Sequence, residues 1–464
     1  MRKCDVAVIG SGPAGYVAAI RAAQLGAQVL VVEREELGGV CLNWGCIPTK
    51  TLIHTADVYR KIQHAADLGL KVDGVSVDMK ALVARKNEIV KKNKGGIRNL
   101  FKANGIEVIT GDASITAPGT IHVGDETIAA KSIIVATGSS PAQIPGLEID
   151  GKRVISSTEA LDLEVLPKRA LVIGAGAIGA EFASMWNAFG VEVTLVEMLP
   201  RVLPLDDAEL TQGLEKIFKK RKIDVRTETK VKNLDVSKKG VHVEFEGKKT
   251  GPIDVDLVLV GIGRKFHSDV VTKSKDLGVK VGARGEILVD ERMETNVKSI
   301  YAVGDVTAKT MLAHGGSAEG LVAAENATGG NAKMNYRVVP ACTFTTPEVA
   351  RVGLTEEQAR ATGADIKIGR FSFMAIGRAH AIGETDGMVK IVGDAKTDEV
   401  LGVHIMGHEA GELIASAAVA MKMEATVAEI AHTIHTHPTL SEAVMEAAED
   451  YFGAGIHTPP KKRP

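Results

Sequence analysis

The chain has 464 residues, enough for about two to four domains at roughly 100–200 residues each. Apolar residues make up 45% and charged residues 25%, the balance of a globular protein and not of a disordered or fibrous one. Lys plus Arg (56) against Asp plus Glu (58) leaves a formal charge of −2, so no global basic field draws the chain to nucleic acid or to an anionic membrane.

No apolar run is long enough to span a bilayer. Four cysteines make no disulfide framework and suit a reducing, cytoplasmic setting. In chain order, Arg2 and Lys3 before an apolar run imitate a secretory leader, but Gly10, Gly12, Pro13 and Gly15 interrupt it. Instead, residues 5–9 predict a strand that enters Gly10-Ser11-Gly12-Pro13-Ala14-Gly15. A helix over 16–25 and a strand over 28–32 follow, ending in Glu33. In such a βαβ unit the first glycine permits the tight turn and the second lets backbone approach a pyrophosphate. The third packs helix on strand, and the helix N-terminus faces the phosphates.

The next segment is Gly38-Gly39-Val40-Cys41-Leu42-Asn43-Trp44-Gly45-Cys46-Ile47-Pro48-Thr49-Lys50. Zinc sites pair cysteines at shorter spacing and need two more ligands, and Cys4 and Cys342 are isolated. Two unrelated buried thiols are the plainer alternative, and the flanking Gly-Gly favours a redox-active pair over them. Residues five apart in a regular helix have Cα atoms about 8–9 Å apart, whereas a disulfide requires less than about 7 Å. A bond between Cys41 and Cys46 therefore demands a distorted helix, which Gly45 and Pro48 permit. A strained pair at a helix start is labile, and the helix dipole lowers its thiolate pKa. Farther on, Lys91, Lys92 and Lys94 within 85–102 read as a solvated helix face.

Residues 132–136 predict a strand ending in Thr137-Gly138. A second complete fingerprint follows: strand 170–173, then Gly174-Ala175-Gly176-Ala177-Ile178-Gly179, a helix to Phe189, and strand 192–196 ending in Glu197. Glu197 stands as far beyond its third glycine as Glu33 does. A carboxylate there accepts from a ribose 2′-OH and repels a 2′-phosphate, which argues for NAD over NADP. Arg201 reads as a surface residue. Residues 300–303 predict a further strand, into Gly304-Asp305.

The fold class is thus α/β, with two Rossmann-like dinucleotide-binding domains plus a C-terminal α+β domain. One nucleotide unit (1–145 and 271–335) is interrupted by the other (146–270), and residues 336–464 alternate strands (367–373, 387–392, 400–406) and then helices. In that last part His435-Thr436-His437-Pro438-Thr439-Leu440-Ser441-Glu442 opens a helical pattern running to Phe452. Pro438 favours an extended His437, and Thr439 with Glu442 fits a capping box. His432, His435 and His437 lack a cysteine or carboxylate at ligand spacing, so no metal is expected. Residues 458–464, rich in proline and basic residues, predict an unstructured tail.

Taken together, the two fingerprints, the dithiol segment and the His-Thr-His-Pro-Thr segment resemble the FAD-dependent disulfide oxidoreductases, and most nearly those that oxidise dihydrolipoamide. The likeness runs along essentially the whole chain. It implies that the first fingerprint binds FAD and the second NAD. It also implies that Cys41 is the interchange thiol and Cys46 the charge-transfer thiol beside the flavin. His437 matches the family's base and Glu442 its orienting carboxylate, both supplied to the other subunit of a homodimer through a C-terminal dimerisation domain. Lys50 matches the lysine beside the flavin ring, and Glu181 the carboxylate that pairs with it.

By the same resemblance Gly39, Val40, Ala113, Thr137, Gly138, Asp305, Ala313 and His314 line the FAD side. Ile178, Val231 and Gly263 border NAD. The implied partners are lipoyl domains of a 2-oxo acid dehydrogenase or glycine cleavage complex. The chain departs from the family at Lys265-Phe266-His267, at Gly315-Gly316 and at Gly377-Arg378-Ala379-His380. The alternatives are a related FAD/NAD(P) reductase with another disulfide substrate, or a flavoprotein subunit whose main role is docking.

Overall fold

The computed structural model describes residues 1–458, so most of the proposed tail lies outside the described residues. The first apolar runs become the centre of a seven-stranded sheet. Arg2–Ile9 pairs in parallel with Val29–Glu33 on one side and Glu126–Val135 on the other, and Glu107–Thr110 extends the Val29–Glu33 edge. Residues 6–9, 29–32 and 132–135 of the three central strands are buried on both faces, so they read as continuous apolar runs and not as alternations, whereas the edge strand Glu107–Thr110 is largely exposed. Glu126–Val135 is long enough for two neighbours on its far edge. Its start pairs antiparallel with Thr120–Val123, which continues to Ala113–Ala117. Its end takes Ile300–Ala302 in parallel, with Val135 opposite Ala302. The chain therefore leaves the sheet after Val135 and returns to it at Ile300.

Between these points lies a second parallel sheet, ordered Asp224–Arg226, Glu192–Val196, Arg169–Ile173, Leu257–Val260, Val154–Ile155. An antiparallel sheet of Thr229–Ser237, Gly240–Gly247 and Ile253–Val255 packs beside it through Val241, Val243 and Phe245. The antiparallel pair Ser139–Pro141 with Arg264–Phe266 ties the outgoing chain to the returning one.

The last part of the chain is an antiparallel five-stranded sheet, ordered Ala341–Thr343, Glu348–Gly353, Val400–Gly407, Met388–Asp394, Ile366–Ser372. Helices Ala410–Lys422 and Glu442–Tyr451 bury Ile414, Ala417, Val444 and Ala447 against Val389, Ile391, Val403 and Ile405. Three of its five strands, Ile366–Ser372, Met388–Asp394 and Val400–Gly407, fall within two residues of those expected, whereas Ala341–Thr343 and Glu348–Gly353 were not anticipated.

Two local expectations need correcting. Lys86 is not part of a solvated face: on the helix Met79–Ala103 it is buried and paired with Asp162. The helix after His437 has Ser441, not Thr439, at its N-cap, and it begins at Glu442 itself. Only half of the expected capping box forms, because the Thr439 hydroxyl donates to Thr436 O at 2.7 Å.

Candidate active site

Each glycine-rich turn shows the division of labour expected of it. Gly10 has φ +98° and Gly174 φ +95°, and a Cβ at Gly10 would sit 2.3 Å from Ala136 O. Gly15 and Gly179 press on the turns themselves, where a Cβ would lie 2.0 Å from Gly10 O and 1.8 Å from Gly174 O. The middle glycines face open space. The nearest atom to a Cβ at Gly12 is Gly39 Cα at 3.9 Å, and at Gly176 none lies within 4 Å. Helices Pro13–Gln24 and Ala177–Ala188 start there with no side-chain cap, so their first N–H groups are free for an anion. Both openings fit a pyrophosphate.

The two acids do a further job that the sequence did not announce. Ser11 N and Oγ donate to Glu33 Oε2 at 2.8 and 2.6 Å, and Glu35 N donates to Oε1 at 3.0 Å. Glu197 repeats this with Ala175 N at 2.8 Å and Leu199 N at 2.9 Å. Each carboxylate thus locks its own glycine turn. Arg201 forms a two-bond pair with Glu357, in keeping with a structural role.

Around the first turn, Ala14 packs against Gly304 and Gly316, next to Asp305. Asp305 accepts from Ser139 Oγ and lies 3.6 Å from Arg264 Nη2. Thr137 Oγ1 donates to His267 O at 2.7 Å, beside Gly138, whose carbonyl accepts from His267 N. Ala313 and His314 open an uncapped helix, Ala313–Ala327, with His314 Nε2 donating to Pro340 O at 2.6 Å. Ala113 starts its strand opposite Val123. At the second turn, Ile178, Val231 and Gly263 lie on the helix, the antiparallel sheet and the loop after Leu257–Val260.

The dithiol sits where helix geometry breaks. Gly39–Trp44 ends at Gly45, whose φ −141° and ψ −113° leave the helical region, and Cys46 is the first residue of Cys46–Gln63. Asn43 Nδ2 holds the short helix by donating to Leu37 O and Gly39 O, both at 3.0 Å. All four cysteines are free thiols in this structure. The Cys41–Cys46 hydrogen bond lowers the Cys46 thiol to about 7 and pushes Cys41 up. Burial opposes the drop at Cys46, while the Lys50 ammonium favours it.

Lys50, one turn farther along that helix, places Nζ 2.9 Å from both carboxylate oxygens of buried Glu181. The sequence separates these two residues by 131 positions. Phe344 also belongs to this site, and no sequence signal announced it. Its N–H donates to Glu181 Oε1 at 3.0 Å, and its ring lies 4.6 Å from Lys50 Nζ.

His437 and Glu442 form the remaining pair. His437 Nδ1 donates to Glu442 Oε1 at 2.8 Å, while Thr439 N donates to Oε2 at 2.8 Å. The contact holds the neutral tautomer that leaves Nε2 free to accept a proton. The peptide bond between His437 and Pro438 is cis. The His437 side chain is 78% exposed against 18% for Glu442. Among the described residues no hydrogen bond joins His437 to the dithiol of its own chain. Beside it, Pro438, Thr439 and Ser441 help line a cleft of about 550 Å³ with Lys61, Arg378 and His408.

Two dinucleotide cradles flanking a dithiol whose Cys46 is lowered at the expense of Cys41 define a flavin- and nicotinamide-dependent disulfide oxidoreductase. Comparison with known proteins agrees. The description of pyridine nucleotide-disulphide oxidoreductases matches residues 4–320, and that of their dimerisation domain matches residues 339–448. The chain belongs to this family, and its cofactors are FAD and NAD. The dihydrolipoyl dehydrogenase of Thermus scotoductus is 47% identical over 461 residues, 98% of this chain and 99% of that one. That of Bacillus subtilis is 42% identical over 471 residues, again 98% and 99%. Among solved structures, LpdA of Mycobacterium tuberculosis matches with a TM-score of 0.89 at 28% identity, covering 97% of this chain and 99% of that one. No helix among the described residues is long and apolar enough to cross a membrane.

Proposed function

We propose that the protein oxidises dihydrolipoamide to lipoamide and delivers the electron pair, by way of the Cys41–Cys46 pair and FAD, to NAD⁺. The observation that carries this reading is the Cys46 thiol at a helix start, held near 7 by Cys41 and Lys50. Relatives named dihydrolipoyl dehydrogenase, identical at nearly half of all positions, supply the substrate class.

In this mechanism the resting Cys41–Cys46 pair is a disulfide. His437 Nε2 takes the proton from one substrate thiol, with Glu442 stabilising the imidazolium that results. The substrate thiolate attacks Cys41 Sγ, the Cys41–Cys46 bond breaks, and its electron pair leaves on Cys46 Sγ. The second substrate thiol then attacks the substrate sulfur of the mixed disulfide, closing lipoamide; the bonding pair leaves on Cys41 Sγ, which takes up the proton given up by that thiol. Lys50 balances the charge that accumulates on Cys46. FAD, when bound, supplies two-electron acceptor chemistry between the dithiol and NAD⁺. The net reaction is dihydrolipoamide plus NAD⁺ to lipoamide, NADH and a proton.

FAD is assigned to the turn of Gly10, Gly12, Pro13, Ala14 and Gly15 with Glu33, Gly39, Val40, Lys50, Ala113, Thr137, Gly138, Asp305, Ala313 and His314. NAD is assigned to Gly174, Gly176, Ile178, Gly179, Glu181, Glu197, Val231 and Gly263. The FAD domain comprises 1–145 and 271–335, the NAD domain 146–270 and the interface domain 336–464. The return of Ile300–Ala302 to the first sheet supports that division. The working unit is a cytoplasmic homodimer in which His437 and Glu442 serve the partner's dithiol, and its substrates are lipoyl domains. The exposure of His437 supports the exchange.

The test is anaerobic NADH formation from NAD⁺ and dihydrolipoamide by the FAD-loaded protein beside Cys46→Ala. Turnover that disappears in the variant is expected. No turnover from the loaded wild type would redirect the assignment to another disulfide.

A further inference from the structure

Lys50 carries four rotatable bonds and a compact charge, so a carboxylate alone leaves its ammonium room to swing. Here the ammonium has a second neighbour. The Phe344 ring lies 4.6 Å from Nζ, and the backbone N–H of the same residue donates to Glu181 Oε1 at 3.0 Å. We infer that Phe344 is a positioning residue for the dithiol chemistry, fixing the Lys50 ammonium toward the Cys46 thiol through one ring contact and one hydrogen bond.

The surrounding segment is built to hold it there. Thr346 N donates to Ser184 Oγ at 3.1 Å, on the helix that carries Glu181. Thr346 Oγ1 donates to Asp57 Oδ1 at 2.8 Å, on the helix that carries Lys50. Residues 344–346 therefore staple both helices of the pair from a third element, the end of the strand Ala341–Thr343. The ring packs partly buried against the core that contains Phe182 and Met185. It takes water from one side of the ion pair, which strengthens the field that pair exerts. The charged and titratable groups acting on Cys46 are Cys41 and Lys50 from its own segment, Glu181 from the helix opposite, and Arg264. A substitution at 344 keeps the backbone bond to Glu181 and removes the ring contact, and because Lys50 lowers the Cys46 pKa more than Glu181 raises it, an ammonium freed from the ring makes the thiolate harder to form.

This inference rests on the proposed role of Lys50 and Glu181, and the experiment separates the two. The FAD-loaded Cys41→Ser protein leaves one reactive thiol of the pair. Its alkylation by iodoacetamide is followed against pH, with the Cys46 peptide quantified by mass spectrometry. Adding Phe344→Leu is expected to raise the midpoint by about half a pH unit, with FAD content unchanged. Phe344→Tyr, which keeps a ring, is expected to restore it. Lys50→Met in the same background is expected to raise it further. An unmoved midpoint in Phe344→Leu beside a shifted one in Lys50→Met overturns the role of Phe344 alone. An unmoved midpoint in Lys50→Met overturns the reading beneath it and this inference with it. Should Phe344→Leu fail to fold, Phe344→Met fills the same gap without a ring and is read in the same way.

Discussion

Glu442 serves His437 and the backbone with different oxygens: Oε1 accepts from the imidazole and Oε2 from Thr439 N, each at 2.8 Å. Burial alone would raise its pKa, but these two bonds bring it below the ordinary carboxylate value. One side chain thus orients the imidazole and shapes the loop ahead of its own helix. His437→Gln should lower kcat for dihydrolipoamide by about 10²- to 10⁴-fold. Glu442→Gln keeps an acceptor for Thr439 and should lose less, about tenfold to a hundredfold, with an unchanged melting temperature. A Glu442→Gln enzyme that matched wild type in kcat would assign Glu442 to the loop alone.

The reduced dithiol should titrate early. Cys46, lowered to about 7, is expected to become a thiolate about one and a half units below an ordinary cysteine. Because its folded value lies below the unfolded one, Cys46 contributes stability that grows as pH rises from about 7 to about 9 and is lost as pH falls again, while the raised thiols of Cys41, Cys4 and Cys342 contribute the opposite sign toward the top of that window. Thiolate ultraviolet absorbance of the reduced enzyme, and chemical denaturation at three pH values in that window, check both statements. A Cys46→Ser variant lacks that contribution, so its stability relative to the parent should fall as pH rises through the window.

The glycines of the second turn should part company when changed to alanine. Gly176→Ala meets nothing within 4 Å, so folding should be unaffected, while the new methyl enters the phosphate opening and raises the KM for NAD⁺ at least tenfold. Gly179→Ala places a Cβ 1.8 Å from Gly174 O and should destabilise the fold by about 2 kcal/mol or more. Thermal denaturation beside steady-state kinetics separates the two effects.

A buried cation ties the second parallel sheet to the C-terminal one. Lys390, 2% exposed, sets Nζ 2.9 Å from Asp207 Oδ1, 3.1 Å from Glu209 Oε2 and 2.7 Å from Glu356 Oε2. Asp207 and Glu209 start the helix Ala208–Lys220, whereas Lys390 and Glu356 belong to the last part of the chain. Lys390→Met takes the ammonium from buried Asp207, which keeps the backbone N–H groups of Glu209 and Glu356 as donors, and should cost about 3–5 kcal/mol. Denaturant titration measures it.

Much of this was legible because the chemistry is local. The two glycine turns, the helix break at Gly45 and the His437–Glu442 spacing are all fixed within a few residues of chain. The Lys50–Glu181 pair was reached only through resemblance, since no periodicity links positions 131 apart. Phe344 and Lys390 left no trace for the same reason, because their roles arise where separate parts of the chain pack together. Glu33 and Glu197 were read as ribose acceptors from position, but their bonds to their own turns depend on the exact path of backbone N–H groups. The cis bond at Pro438 likewise has no signature beyond the proline itself.

The outward-facing His437 has an arithmetic consequence at the level of subunits. If each chain lends its base to the other's dithiol, a Cys46→Ser chain still offers a working base, and a His437→Gln chain still offers a working dithiol. Co-expressed, two dead proteins would assemble a mixed dimer with one whole site and one doubly broken site, and turnover would return. Inactivity would be recessive within the pair.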